Sequence, residues 1–368
     1  YSPPYSKFKR HYNIPGQRTL NGDIIHDICI DKNNNLWIGT EDAGLNKLNM
    51  KDHSYTSFND MKGLSQNCIH GLASIDNHLW IGTHANGIDL MDIRTEKIIK
   101  HYTISVNPYA NKNDIIVYLY KLQNNDLLVA TALGVYQYNS QKDIFEQLSQ
   151  FPNNCRIQTL FEDHDGVIWA GTSSKGLYYY NPATSQHGEF KLDTVNTSRT
   201  INNIYEDRKN NLWFATGDGI KIYDRSTQQT TKYDMQDGLP SNVIYRIEED
   251  KKGNMWISTA NGLARLNPKN HKIKVFKKEH GLTSNQFNYN SSLKTDNDKL
   301  YFGTLKGMIS FQPNSIQEFS IQPKVYISQI NYNDPDHNFL HQEAITFKKG
   351  ITLEHNQSTF YIDYTSLS

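Results

Sequence analysis

Three kinds of side chain in this 368-residue sequence could do chemistry: paired carboxylates, histidines and dispersed arginines. Glu162-Asp163, Glu206-Asp207 and Glu248-Glu249-Asp250 could serve as acid and base in glycoside hydrolysis. They recur, however, at one place in a repeated phrase, where a strand ends in a turn, so turn chemistry is the expected role. Of 14 histidines, only His26 and His70 occupy corresponding repeat positions. A metal centre needs several donors converging on one point, so no metal and no other cofactor is expected. His26, His70, His84 and His280 are the candidates for a general base if the chain is an enzyme. Cys29, Cys68 and Cys155 form no CxxC pair and are expected to be buried free thiols. There is no GxSxG, no HExxH, no P-loop and no GxGxxG between strand and helix, so no catalytic residue is assigned.

The elements that position these residues follow from a period. Seven copies of one phrase (apolar pair, small residue, Thr, Gly turn, alternating strand) run from LWIGTEDAGLNKLN at 36 to 49 to LYFGTLKGMISFQ at 300 to 312. Their anchors are Trp37, Trp80, Leu128, Trp169, Trp213, Trp256 and Tyr301, spaced 43, 48, 41, 44, 43 and 45 residues apart. Short alternating strands at that period predict an all-β propeller of seven four-stranded antiparallel blades. Each large anchor is expected to pack between adjacent blades, where aromatic rings bury most area. The seventh repeat lacks a fourth strand, whereas SKFKRHY (6 to 12) is an unattached one resembling KIKVFKK (272 to 278). The N-terminal strand is therefore expected to complete the seventh blade and remove the exposed edge of an open ring. The propeller is placed at 1–320, with a different, incomplete domain at 321–368.

In such a ring the first strand of each blade lines the central channel. Alignment of the repeats puts His26, His70, Val117, Gln158, Asn202, Tyr245 and Asn288 at one register, and Asp27, Gly71, Tyr118, Thr159, Asn203, Arg246 and Tyr289 at the next. These groups suit a hydroxyl-rich or carboxylate ligand; they equally suit a water-filled channel with solvated polar edges. The face carrying the longer loops adds Arg18, Tyr109, Lys112, Arg156 and Arg199. Arginine forks bind carboxylate or sulfate bidentately, so an acidic or polyhydroxylated ligand is expected at Arg18, Tyr109, Arg156, Arg199, Asn202, Tyr245 and Arg246.

Composition narrows the class. Lys plus Arg and Asp plus Glu are 38 each, and no long basic run appears, which argues against direct nucleic-acid binding. The hydrophobic fraction of 37% and aromatic fraction of 12%, with 23 Tyr, fit short strands joined by polar turns. No apolar run approaches 18 residues, so no membrane-spanning helix is expected within the chain, and YSPPYSKFKR is unlike a secretory leader.

The LWIGT phrase, DGLPSN (237 to 242) and HGLTSN (280 to 285) ahead of first strands, and the ending YFGTLKGMISFQP (301 to 313) resemble the two-component regulator propeller repeats over about residues 6 to 313. PKVYISQINYND (323 to 334) and ITLEHNQSTFYIDYTSLS (351 to 368) resemble the start of the immunoglobulin-like sandwich that follows the propeller in that family. The resemblance implies the periplasmic sensor of an inner-membrane hybrid histidine kinase that controls polysaccharide utilisation. It also implies an oligosaccharide ligand, a second propeller in the same chain and a homodimer. Two other functions remain open: a propeller lyase, like the streptogramin lyases, or glycoside hydrolase, and a non-catalytic protein-interaction scaffold.

Overall fold

The computed structural model describes residues 8–104, 114–192, 198–316, 325–334, 339–344, 352, 355 and 360–366. They fall in two compact units, Tyr1–Ser315 and Ile316–Ser368. The first unit is a seven-bladed propeller. Blade one consists of β2 (Ile25–Ile30), β3 (Asn35–Thr40), β4 (Leu45–Asn49) and β5 (Tyr55–Phe58), paired in that order. Blades two to six repeat this meander as β6–β9 (69–102), β10–β13 (116–147), β14–β17 (157–190), β18–β21 (201–233) and β22–β25 (244–276).

The seventh blade closes the ring as the sequence implies. Its strands β26 (Phe287–Lys294), β27 (Leu300–Thr304) and β28 (Gly307–Phe311) are completed by β1 (Lys9–His11), which pairs Lys9 with Ser310 and His11 with Met308. Phe8 seals the junction, with its ring centroid 5.4 Å from that of Phe276 and 4.9 Å from that of Phe311. The second unit contains a three-stranded antiparallel sheet ordered β30 (Phe339–Ala344), β29 (Val325–Asp334), β31 (Phe360–Ser366).

The repeated phrase is one hydrogen-bonding device used seven times. In every blade the Thr hydroxyl donates to the carbonyl of the hairpin glycine, at 2.7 Å for Thr40 and Gly44 and 2.9 Å for Thr304 and Gly307. Gly307 has φ 82°, and a Cβ there would land on the carbonyl oxygen of His11 in the closing strand, so only glycine fits. The anchors lie between blades. Trp37 packs with Leu64, Ile69 and Leu72 of the next repeat, Trp213 with Ile244 and Ile247, and Tyr301 with Ile25 and Ile28 across the closure.

The recurrent carboxylates hold the turns that follow the first strands. Asp250 accepts from the backbone N–H of Lys252 and Asn254, both at 2.9 Å, and from Trp256 Nε1 at 3.0 Å. Asp31, Asp163 and Asp207 bond Trp37, Trp169 and Trp213 in the same way at 2.7–2.9 Å. The neighbouring glutamate ties one blade to the one before it. Glu162, Glu206 and Glu249 accept from the backbone N–H of Gln123, His164 and Arg208 at 2.7–3.1 Å. These acids are thus spent on the scaffold.

Candidate binding site at the channel mouth

An ideal strand turns alternate residues inward, yet here two adjacent registers reach the channel. The cause is a one-residue β-bulge in six first strands, at His26, His70, Val117, Gln158, Asn202 and Tyr245. A bulge sets two residues against one on the partner strand and re-aims side chains. In blade seven the irregularity grows to four residues, Asn288 to Ser291, set against Gly303 alone. Ser291, rather than the expected Tyr289, therefore occupies the register of Asp27 and Arg246, and Tyr289 rises to the mouth, 41% exposed.

This enlarged bulge plugs the channel. Asn290, at φ 51°, sends its Nδ2 to the carbonyls of Val117 at 3.2 Å and Gln158 at 3.4 Å, reaching blades three and four from blade seven. Asn290 Oδ1, Ser291 Oγ and Thr159 Oγ1 are buried here without a hydrogen-bond partner. Around the plug sit Asp27, Arg246, Glu248 and Tyr118. Arg246 donates from Nε to Ser292 Oγ at 2.9 Å and lies 5.8 Å from the Tyr118 ring centre. Ser292 donates in turn to Glu248 at 2.7 Å. Asp27 accepts from the backbone N–H of Leu72 at 2.8 Å; burial nevertheless raises its pKa to about 7, and burial raises that of Glu248 as well.

The expected contact residues divide. Arg156 is half-buried at the mouth, and Tyr245 is buried beside the exposed Tyr289. Arg156 donates to Gln158 Oε1 at 3.3 Å, and its charge adds to the forces that lower the pKa of His26 and His70. The ring of Tyr245 meets that of Tyr289 edge-on, with centroids 4.9 Å apart. Asn202 is 2% exposed, and its amide donates to the Ile244 carbonyl at 2.7 Å, bracing one blade against the next. Arg246 belongs to the network around the plug. Arg199 donates to Glu189 at 2.5 Å and to the Lys175 carbonyl at 2.9 Å on the outer part of blade four. Arg18 is exposed on the loop between β1 and β2. Tyr109 and Lys112 lie outside the described residues. Tyr289 was missed as a contact because nothing in the spacing reveals how a four-residue irregularity is distributed.

A second cluster lies over blades one and two. His26, His70 and His84 form a row with ring centroids 4.2 and 4.8 Å apart. His26 Nε2 hydrogen-bonds Glu41, which is 45% exposed, and Glu41 lies 3.9 Å from His70 Nε2. Cys68 Sγ lies 3.4 Å from His70 Nε2. Burial, then the neighbouring His26 and His84, lowers the His70 pKa to about 2. Burial, with Glu41 beside it, raises that of Cys68 to about 12. Only two of these five positions were aligned from the repeats, because Glu41, Cys68 and His84 occupy other registers. His280 stands apart, its Nδ1 accepting from the backbone N–H of Lys277 at 3.0 Å.

Among known proteins, four segments match the family described as two component regulator propeller: residues 19–42, 150–174, 197–218 and 238–261. Histidine kinase P4 of Formosa agariphila is 28% identical over 414 aligned residues, which cover 94% of this chain and 27% of that protein. The chain thus spans about a quarter of the length of the curated relative it matches. The extracellular domain of a hybrid two-component system of B. thetaiotaomicron superposes with a TM-score of 0.81 at 24% identity, covering 98% of this chain and 49% of that one. Virginiamycin B lyase of Staphylococcus aureus shares the fold at a TM-score of 0.60 and 17% identity, covering 82% of this chain and 98% of that one. Among the described residues no helix is long and apolar enough to cross a membrane. The chain is a seven-bladed propeller, four segments of which match the two-component regulator propeller repeat.

Proposed function

We propose that this chain is a non-catalytic, periplasmic ligand-sensing part of a hybrid two-component sensor kinase, and that it binds an oligosaccharide, acidic by preference, at the channel mouth. The observation that carries the reading is the mouth itself: the exposed Tyr289 ring against Tyr245, Arg156 close by, and a floor closed by Asn290. A closed floor makes the mouth a dish that holds a ligand. Aromatic faces suit the C–H faces of sugar rings, and a guanidinium suits a uronate or sulfate. Homology to a histidine kinase supports the sensor role. In the full-length receptor, binding shifts the arrangement of two protomers and so controls glycan-utilisation genes; it can do so only through different affinity for the two arrangements.

The experiment is a thermal-shift screen of this chain against neutral and acidic oligosaccharides, followed by calorimetric titration of any hit. A ligand that binds only the folded state raises the melting temperature, by the equivalent of about 2.7 kcal/mol at 100 times its Kd. An acidic oligosaccharide should bind, and Arg156→Ala and Tyr289→Ala should each abolish the shift without lowering the melting temperature of the free protein by more than about 2 °C. Binding unchanged in both variants, or no shift across the panel, would remove the mouth as the sensing site.

A further inference from the structure

We propose that Cys68, His70, His84 and Glu41 bind one divalent transition-metal ion of the zinc class at the rim of the mouth, with His26 orienting Glu41.

The residue after the repeat Thr donates its backbone N–H to the carbonyl two residues before the bulge: Glu41 to Ile24, His84 to Cys68, Ala132 to Ile115, Ser173 to Arg156, Ala260 to Val243 and Leu305 to Gln286, all at 3.0–3.2 Å. In these six blades that bond brings three positions together at the rim: the residue two before the bulge, the bulged residue and the residue after Thr. Blade one presents Ile24, His26 and Glu41, and blade two presents Cys68, His70 and His84. Five of these six are metal-ligand types. The corresponding positions in the other blades hold none: Ile115, Val117 and Ala132; Arg156, Gln158 and Ser173; Thr200, Asn202 and Gly217; Val243, Tyr245 and Ala260; Gln286, Asn288 and Leu305. The scaffold does not require such residues there, and they concentrate on two adjacent blades.

Distances fit a tetrahedral centre. With bonds of about 2.0–2.1 Å to nitrogen or oxygen and about 2.3 Å to sulfur, neighbouring donor atoms lie about 3.3–3.7 Å apart. Cys68 Sγ to His70 Nε2 is 3.4 Å, and His70 Nε2 to Glu41 Oε2 is 3.9 Å. Donor atoms of Cys68, His70 and His84 all lie within 4.8 Å of one another, as do those of His26, Glu41 and His70. His26 donates to Glu41, the relation in which an outer histidine or carboxylate fixes a ligand's orientation. Charge also balances: a thiolate and a carboxylate neutralise a dication. A histidine ligates as the neutral imidazole and a cysteine as the thiolate, so binding releases the Cys68 proton. Mixed sulfur, imidazole and carboxylate donors favour zinc over magnesium or calcium.

The test is titration of the metal-stripped, tag-free chain with Co2+, then displacement by Zn2+. One equivalent should give the visible bands of tetrahedral cobalt and a near-ultraviolet thiolate-to-cobalt band, with about one proton released. Cys68→Ser should remove the thiolate band, whereas Cys29→Ser and Cys155→Ser retain it. His26→Ala should weaken binding about 10–100-fold, the usual cost of losing an orienting partner. His84→Ala and Glu41→Gln, at the exposed rim, should weaken it at least as much while circular dichroism stays unchanged. Binding unaltered by Cys68→Ser and His84→Ala, an octahedral spectrum without a thiolate band, or no binding at micromolar cobalt would each overturn the proposal. The metal readout is independent of any sugar, so it stands or falls separately from the glycan reading.

Discussion

Replacing Asp250 by Ala tests whether the recurrent carboxylates are scaffold. The side chain accepts from two turn N–H groups, from Asn254 Nδ2 at 2.9 Å and from Trp256 Nε1 at 3.0 Å, and Trp256 is wholly buried. Water can reach the N–H of Lys252, so the lasting losses are the indole and the partly covered Asn254 donors. The wholly buried indole left without an acceptor costs about 1–3 kcal/mol and the partly covered Asn254 donors together about 1–2 kcal/mol, giving about 2–5 kcal/mol in all. With an unfolding entropy of about 2.1 cal/mol/K per residue over roughly 300 residues, that lowers the melting temperature by about 3–8 °C. Scanning calorimetry reads this directly, and Asp52→Ala, which removes an exposed turn carboxylate bonded to Ser54, should change stability by about 0.5 kcal/mol or less. Adding Trp256→Phe separates the indole bond from the turn, because the two substitutions should couple by about 1–2 kcal/mol. A loss below about 1 kcal/mol for Asp250→Ala, or strict additivity with Trp256→Phe, would show that the acid does not hold the turn and the ring together.

Two further substitutions probe the closure and the channel. Phe8→Ala empties the junction of blades six and seven and should cost about 3–4 kcal/mol; hydrogen exchange should quicken in β28 and leave β14 protected, and a uniform loss around the ring would contradict a latch. Asp27→Asn copies blade five, where Asn203 Oδ1 already accepts from Ile247 N–H at 3.0 Å. Because burial raises the folded pKa of Asp27 to about 7 from 3.8, its protonated form is favoured in the folded state. Its stabilising contribution is therefore full below pH 3.8 and falls as pH rises towards 7. Melting temperatures of Asp27→Asn should gain on the native chain across that interval, and parallel curves would refute the assignment.

The repeat architecture was legible because each blade needs the same Thr, Gly and large anchor, so sevenfold agreement overrides noise at any one position. The closing strand was legible for the same reason: one fourth strand was missing at one end and present at the other. Side-chain direction in the channel was not. Strand alternation assigns one of two adjacent residues inward, and only the bulges at positions such as His26 and Gln158 make both visible from the channel. Arg199 and Asn202 illustrate the second gap. Their types suit a ligand, but whether Glu189 or the Ile244 carbonyl already holds them depends on contacts between repeats. The histidine cluster joins both gaps, since it combines three registers of two blades and alignment compares one register at a time.

A ring of equivalent blades has no preferred place to bind anything, so a functional site must lie where equivalence fails. Among the described residues, two such places stand out on the rim. One is the irregularity of β26, which sends Asn290 to blades three and four and lifts Tyr289 beside Tyr245. The other is the run of donors from His26 to His84 over blades one and two. Arg156, from blade four, stands near enough to act on His26 and His70 and therefore connects them. An acidic ligand drawn to Arg156 would weaken its repulsion of a cation held by His70. Ligand and metal should then favour one another, and linkage requires the effect to be mutual. Measuring the acidic oligosaccharide's affinity with and without one equivalent of zinc decides this: tighter binding with zinc supports a shared rim, and equal affinity shows two independent sites.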